Sequence, residues 1–292
     1  MQHVIRYFSW AMLALLAATC FHSAAAEETV AADAVYQEDL VYGRAWGAGL
    51  LADVAYPKAN DAGPESKQRL PAIISVHGGR WMGGHKQDAS AIDVTQWAEL
   101  GFFAMSIDYR LVSCSPVPAC YQDLQCAIRF VHANAERYNI DTSRIFLIGQ
   151  SAGGHMVSLA ATLGDGPFPR TGGWKKASND FRAAISVAAN YELTTLSWGN
   201  IWTPAKGDAI EARRLASPVN HVAKDMKPLL VIHADNDESV PIDNALGMIE
   251  ALKKADAPYV FHRYPKAGHM GITDEVIKRS LEFIKEQSAA TE

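Results

Sequence analysis

The chain is poor in the features that would mark a nucleic-acid binder, a membrane protein or a metalloenzyme. Its 292 residues carry 27 Lys and Arg against 32 Asp and Glu, a formal net charge of −5, with no run of basic residues. A phosphate backbone calls for a clustered positive face, so nucleic acid is not an expected partner. Beyond residue 26 no apolar stretch approaches the roughly 20 residues that a bilayer-crossing helix needs, so no stable membrane span is expected. Neither H-E-x-x-H nor paired C-x-x-C spacing accompanies His77, His85 and His155, so no metal or other cofactor is expected. Repeats and low-complexity tracts are also missing.

Cysteine is scarce, with four in the whole chain. Cys20 lies behind a short apolar run, "WAMLALLAA", Trp10 to Ala18, which follows the lone fixed charge of Arg6. The small-residue segment "HSAAAEE" then offers an Ala24-x-Ala26 cleavage site. Residues 1–26 are therefore expected to be a cleaved signal peptide, and the protein to be secreted or periplasmic. A membrane anchor is the competing reading, and the run is short for it. A lipoprotein site at Cys20 fits poorly with Ala17 and Thr19 before it. In an oxidising compartment Cys114 and Cys120 could close a short loop around "SPVP". Cys126 sits in the helical pattern "LQCAIRFV" and is expected to be a buried small hydrophobe.

What is present is ample core material, with 49% of residues hydrophobic. Residues 27–292 suit one large α/β domain. "LVYGRAWGAGLLADVAYP", Leu40 to Pro57, reads as two strands about a tight turn. "LPAIISVHGG", "FFAMSIDYR", "IFLIG", "RAAISVAAN", "PLLVIHA" and "YVFHRYP" read as further strands. Between them lie helical patterns: "AIDVTQWAELG", Ala119 to Tyr138, "AGGHMVSLAATLG", "PIDNALGMIEALKKA" and a last helix from about Asp274. Such alternation predicts a mostly parallel central sheet with helices on both faces. Two irregular excursions, Asp165 to Asp180 and a stretch around Trp198 and Trp202 to about Arg214, are expected to form a small lid over the sheet's carboxyl edge.

Chemistry concentrates in "IFLIGQSAGGH", Ile145 to His155. A sharp strand-to-helix turn would lift Ser151 clear of the sheet, and Gly149 and Gly153 remove side chains that would clash there. G-x-S-x-G between strand and helix is the nucleophile elbow. A phosphate loop is the alternative, but no G-K-[ST] follows. A serine nucleophile needs a base to take its proton and an acid to orient that base. In this architecture the order is Ser, then Asp or Glu, then His. "HADNDESVP" supplies Asp237, with Asp235 as the rival or as a cap on the turn. "YPKAGHM" supplies His269, while the other candidate, His262, falls mid-strand. The turn in "SVHGGRW" presents backbone N–H groups of Gly79 and Arg80, joined by that of Ala152, as donors for an oxyanion.

Together "HGGRWMGGHK", "SIDYRL", "GQSAGGH", "ASPVNHV", "HADNDESVP" and "AGHM" resemble the α/β-hydrolase superfamily. The likeness is to bacterial carboxylesterase/feruloyl-esterase-like proteins with an H-G-G-x-W motif. That resemblance implies Ser151 as nucleophile, Asp237 as acid, His269 as base and Gly79, Arg80 and Ala152 as oxyanion donors. It also implies short acyl or aryl esters, such as acetyl or feruloyl groups on plant polysaccharide, as substrates. It places Asp123 in a structural pairing near the active-site base. Arg80 departs from the third glycine frequent in related lipases, and the Cys114 to Cys120 insertion replaces the usual loop after "YRL". Trp81, Trp198 and Trp202 are candidates to line an aromatic or sugar-bearing pocket, with ordinary packing the alternative. A peptidase or amidase, an acyltransferase or a non-catalytic ligand-binding relative are the competing functions. Oligomeric state is not legible.

Overall fold

A computed structural model describes residues 34–58, 69–196 and 202–289 of the chain. Residues 1–33, and with them the expected signal peptide and Cys20, lie outside the described residues, as does Trp198. Eight strands form one sheet in the order β1-β2-β4-β3-β5-β6-β7-β8. They are β1 Ala34–Ala45, β2 Ala48–Pro57, β3 Leu70–Val76, β4 Phe103–Ile107, β5 Ile140–Gln150, β6 Ala183–Val187, β7 Leu229–Ala234 and β8 Tyr259–Tyr264. β1 pairs with β2, and β2 with β4, antiparallel; the pairs from β4 through β8 are parallel. The central strands β3, β4, β6 and β7 are buried along nearly their whole length, as a sheet covered on both faces requires.

Two apolar clusters show the cover. Helices α2 (Ala119–Ala133), α3 (Ala152–Leu163) and α5 (Asp243–Ala255) contribute to one, and α1 (Val94–Glu99) and α6 (Asp274–Ala289) to the other. This is the mostly parallel sheet with helices on both faces that the alternation of strands and helices predicts and that the resemblance to α/β-hydrolases implies. Element ends differ in understandable ways. Asp93 caps α1 by accepting from the N–H groups of Thr95 and Gln96, so "AID" stays outside that helix. α2 stops at Ala133 rather than Tyr138, where Asn134 turns its amide back to donate to the Phe130 carbonyl. β5 begins earlier than expected, because Ile140 already pairs with Leu70 ahead of a register shift.

Both irregular excursions are packed onto the body of the fold. The segment 165–180 is fastened to α2 and β1, with Arg129 donating to the Thr171 and Gly173 carbonyls and Trp174 Nε1 to the Tyr42 carbonyl. The second excursion holds the buried Trp202 and runs into α4 (Ala209–Leu215), which a 3₁₀ turn at Pro218–His221 follows. The Cys114–Cys120 bridge is corrected, because both are free thiols. Cys120 opens α2 facing the core, while Cys114 sits exposed in the preceding turn. Cys126 is buried as expected, and its burial pushes the thiol up to about 11.

Candidate active site

Ser151 stands between the end of β5 and the start of α3 with φ 52° and ψ −115°, a conformation that costs a side-chain-bearing residue about 1–3 kcal/mol. Its neighbours make that turn possible. A Cβ on Gly153 would lie 1.9 Å from the Val76 carbonyl oxygen, and one on Gly149 would lie 2.4 Å from the Gly153 carbonyl. Gly154, outside the pentapeptide pattern, is needed as well, since a Cβ there would meet that of Ala189 at 2.8 Å. Ser151 N–H donates to the Val187 carbonyl at 2.8 Å, pinning the turn to the end of β6.

Asp237 and His269 come together across two loops at the ends of β7 and β8. His269 Nδ1 donates to Asp237 Oδ2 at 2.8 Å; the carboxylate is fully buried and the imidazole is 28% exposed. Asp237 Oδ1 accepts from the N–H groups of Ser239 and Val240, each at 2.9 Å. The buried carboxylate is thus satisfied on both oxygens and holds the imidazole with Nε2 available. His233 lies behind it, 3.6 Å from Oδ2, and donates its Nε2–H to the Val240 carbonyl. Burial lowers its pKa. Asp235 takes no part, because its carboxylate pairs with Arg263 on the surface. His262 stays within β8.

The turn after β3 is tightly made. Gly79 has φ 104°, and a Cβ there would strike the Gly83 carbonyl oxygen at 2.2 Å. Its own carbonyl accepts from the N–H groups of Met82 and Gly83. His77 Nδ1 donates to the Gly78 carbonyl at 2.7 Å and stacks on Tyr109, whose hydroxyl lies 3.2 Å from the same carbonyl. His77 is therefore a support of the turn. Gly79 and Arg80 are exposed, and Ala152 opens α3, where a helix leaves its first N–H groups without internal acceptors.

One expectation for nearby residues is corrected. Trp81 and Trp202 are 0% and 1% exposed and meet edge to face at 5.6 Å, so they are packing residues with no face toward solvent. Both also pack on His155, which accepts from Trp81 Nε1–H and donates its Nε2–H to the Ala216 carbonyl. Asp123 makes a structural pairing, as the resemblance implied. It is buried against Arg110, which donates to both its oxygens. Two residues that the motifs did not single out do reach the histidine loop. Gln150 Nε2 donates to the Met270 carbonyl, and Asn236 Oδ1 accepts from the N–H groups of Ala267 and Gly268, all at 2.9 Å.

A cavity of about 850 Å³ opens away from Ser151, between the loop at 85–96 and the start of α6. None of Ser151, Asp237 and His269 lines it. Its buried charges, Lys86 and Asp53, pair at 3.1 Å, and Lys86 also reaches the exposed Asp39 at 2.9 Å, so it reads as framework. Among the described residues no cluster of three potential metal ligands occurs, and no helix is long and apolar enough to cross a membrane.

Comparison with known proteins identifies the family and the fold. The family model described as BD-FAE matches residues 61–252, well over half of the chain and ending before His269. A probable carboxylic ester hydrolase of Mycobacterium tuberculosis, LipM, is 29% identical over 213 residues, which cover 68% of this chain and 49% of that protein. The chain spans about half the length of the curated relatives it matches. Among solved structures, a truncated carbohydrate esterase from gut microbiota superposes with a TM-score of 0.74 at 27% identity, covering 87% of this chain and 96% of that one. A propionate-bound esterase of Thermogutta terrifontis gives 0.68 at 26% identity, covering 85% and 93%.

Proposed function

Because the chain belongs to the BD-FAE family, we propose that it is a serine hydrolase of carboxylic esters, acting through an acyl-enzyme on Ser151. The observation that carries the proposal is the buried Asp237 carboxylate bonded to His269 Nδ1, in the chain order that a serine elbow requires. In the proposed cycle His269 Nε2 takes the Ser151 proton as the oxygen attacks the ester carbonyl. The charge that develops on the carbonyl oxygen is met by the N–H groups of Gly79, Arg80 and Ala152. His269 then returns the proton to the departing alcohol, and Asp237 stabilises the imidazolium between these steps. Water enters by the same base, attacks the acyl carbon and releases the acid and Ser151.

Short acyl or aryl esters are the substrates we propose, with acetyl or feruloyl groups on plant polysaccharide the leading class. Support comes from the likeness to a carbohydrate esterase at 27% identity. A secreted or periplasmic location would suit such a polymer and rests on the signal-like run at Trp10 to Ala18. An amidase would use the same groups but must expel a poorer leaving group, and nothing in the site favours it.

The test is hydrolysis of a panel of acetyl, butyryl, long-chain and feruloyl esters by the wild-type chain and Ser151→Ala. Rates that fall with acyl length and vanish in the variant are expected. A wild-type rate in Ser151→Ala would refute the assignment.

A further inference from the structure

The residues flanking Ser151 and Asp237 grip the loop that carries His269 from opposite sides. Gln150, immediately before Ser151, is buried, and its Nε2 donates to the carbonyl of Met270, immediately after His269. Asn236, immediately before Asp237, accepts with one oxygen the N–H groups of Ala267 and Gly268, immediately before His269. Gly268 has φ 60°, so the loop enters the histidine through a left-handed residue that local sequence does little to stabilise. The oxyanion turn joins the same arrangement, because a Cβ on Gly78 would stand 2.2 Å from Gln150 Oε1. Glycine at 78 leaves the room the amide needs to reach Met270.

Placement of this kind has a chemical consequence. His269 is 28% exposed and held by one side-chain bond to Asp237, which fixes one edge of the ring but not the backbone that carries it. Small misplacements of a base relative to its nucleophile are costly in rate, about 100-fold for an ångström. Resting on the esterase reading, we propose that Gln150 and Asn236 are positioning residues that hold His269 in register with Ser151 and Asp237. Gln150 ties the base loop to the nucleophile strand, and Asn236 ties it to the acid loop. Neither touches the reacting atoms.

The experiment compares Gln150→Met, Asn236→Leu, Asn236→Asp and Ser151→Ala in the full chain, by steady-state hydrolysis of 4-nitrophenyl acetate at pH 8. Gln150→Met and Asn236→Leu are expected to lower kcat by about 10- to 100-fold while KM moves by less than about threefold. Asn236→Asp keeps an acceptor for both N–H groups and is expected to return kcat close to wild type, a rescue that a purely packing role would not produce. If Gln150→Met does not fold, the Asn236 pair on its exposed loop carries the test alone. Wild-type kcat in Gln150→Met and Asn236→Leu, or no rescue in Asn236→Asp, would overturn the proposal. Activity in Ser151→Ala would instead defeat the esterase reading, so the two failures are distinct.

Discussion

Acid should destabilise this fold through one buried imidazole, and the size of the effect follows from its surroundings. His155 is completely buried between Trp81 and Trp202, and burial lowers its pKa from the ordinary 6.5 to about 4, against the opposing pull of the bond to Ala216. Above about pH 6.5 neither the folded nor the unfolded chain protonates it, so it has no pH-dependent effect. Between about 6.5 and 4 the unfolded chain binds a proton that the folded chain does not, and stability is lost as pH falls. Below about 4 both forms are protonated and the loss levels off. The slope reaches about 1.4 kcal/mol per pH unit, for a total near 3 kcal/mol. His77 and His233, whose pKa values burial also lowers, add in the same direction. Urea unfolding of wild type and His155→Gln at pH 7.5, 6 and 5 isolates the contribution. Gln retains an N–H for the Ala216 carbonyl and does not titrate. The difference in stability between the two proteins should therefore change by about 2 kcal/mol between pH 7.5 and 5, in favour of the variant. A difference that does not change with pH would refute the reasoning.

Other outcomes follow from the same geometry. Asp237→Asn should lower kcat by about 10⁴-fold, since an amide no longer stabilises the imidazolium or its tautomer, whereas Asp235→Asn should stay near wild type. Equal losses in the two variants, measured with one acetyl ester, would contradict the acid assignment. Gly153→Ala places a Cβ 1.9 Å from a backbone oxygen. It should cost about 3 kcal/mol or more, seen as a fall in Tm of roughly 6–12 °C, and an unchanged Tm would count against the elbow. Alkylation of the native protein, followed by peptide mapping, should label Cys114 but neither Cys120 nor Cys126, whose thiols are buried and pushed up in pKa. Recovery of a Cys114–Cys120 disulfide peptide would contradict the structure.

How far the site was legible depends on whether its contacts are local. Ser151 could be read because the turn's glycines fall within five consecutive residues, although the crowding at Gly153 comes from Val76 at the end of β3. His269 and Asp237, with Asp235 as its rival, could be read from their order along the chain, but the physical reason for the choice between the carboxylates needed the fold. Only there does Asp235 face Arg263 while Asp237 turns inward to two backbone N–H groups. The Gln150 to Met270 bond spans 120 positions, and no local pattern marks either end. Trp81 and Trp202 invited a pocket-lining reading because a tryptophan's type does not say which way it points. The fold buries both against His155 and against each other. Cys114 and Cys120 are close in sequence, but the first turn of α2 directs Cys120 into the core while Cys114 stays in the exposed turn.

The account stands on Ser151 being the atom that accepts the acyl group, activated by His269. Its most direct measurement is intact-mass labelling with an organophosphate, followed by peptide mapping. One adduct on the peptide bearing Ser151 is predicted, absent in Ser151→Ala and formed far more slowly in His269→Ala. An adduct on another residue, or labelling of Ser151 at full speed without His269, would contradict it.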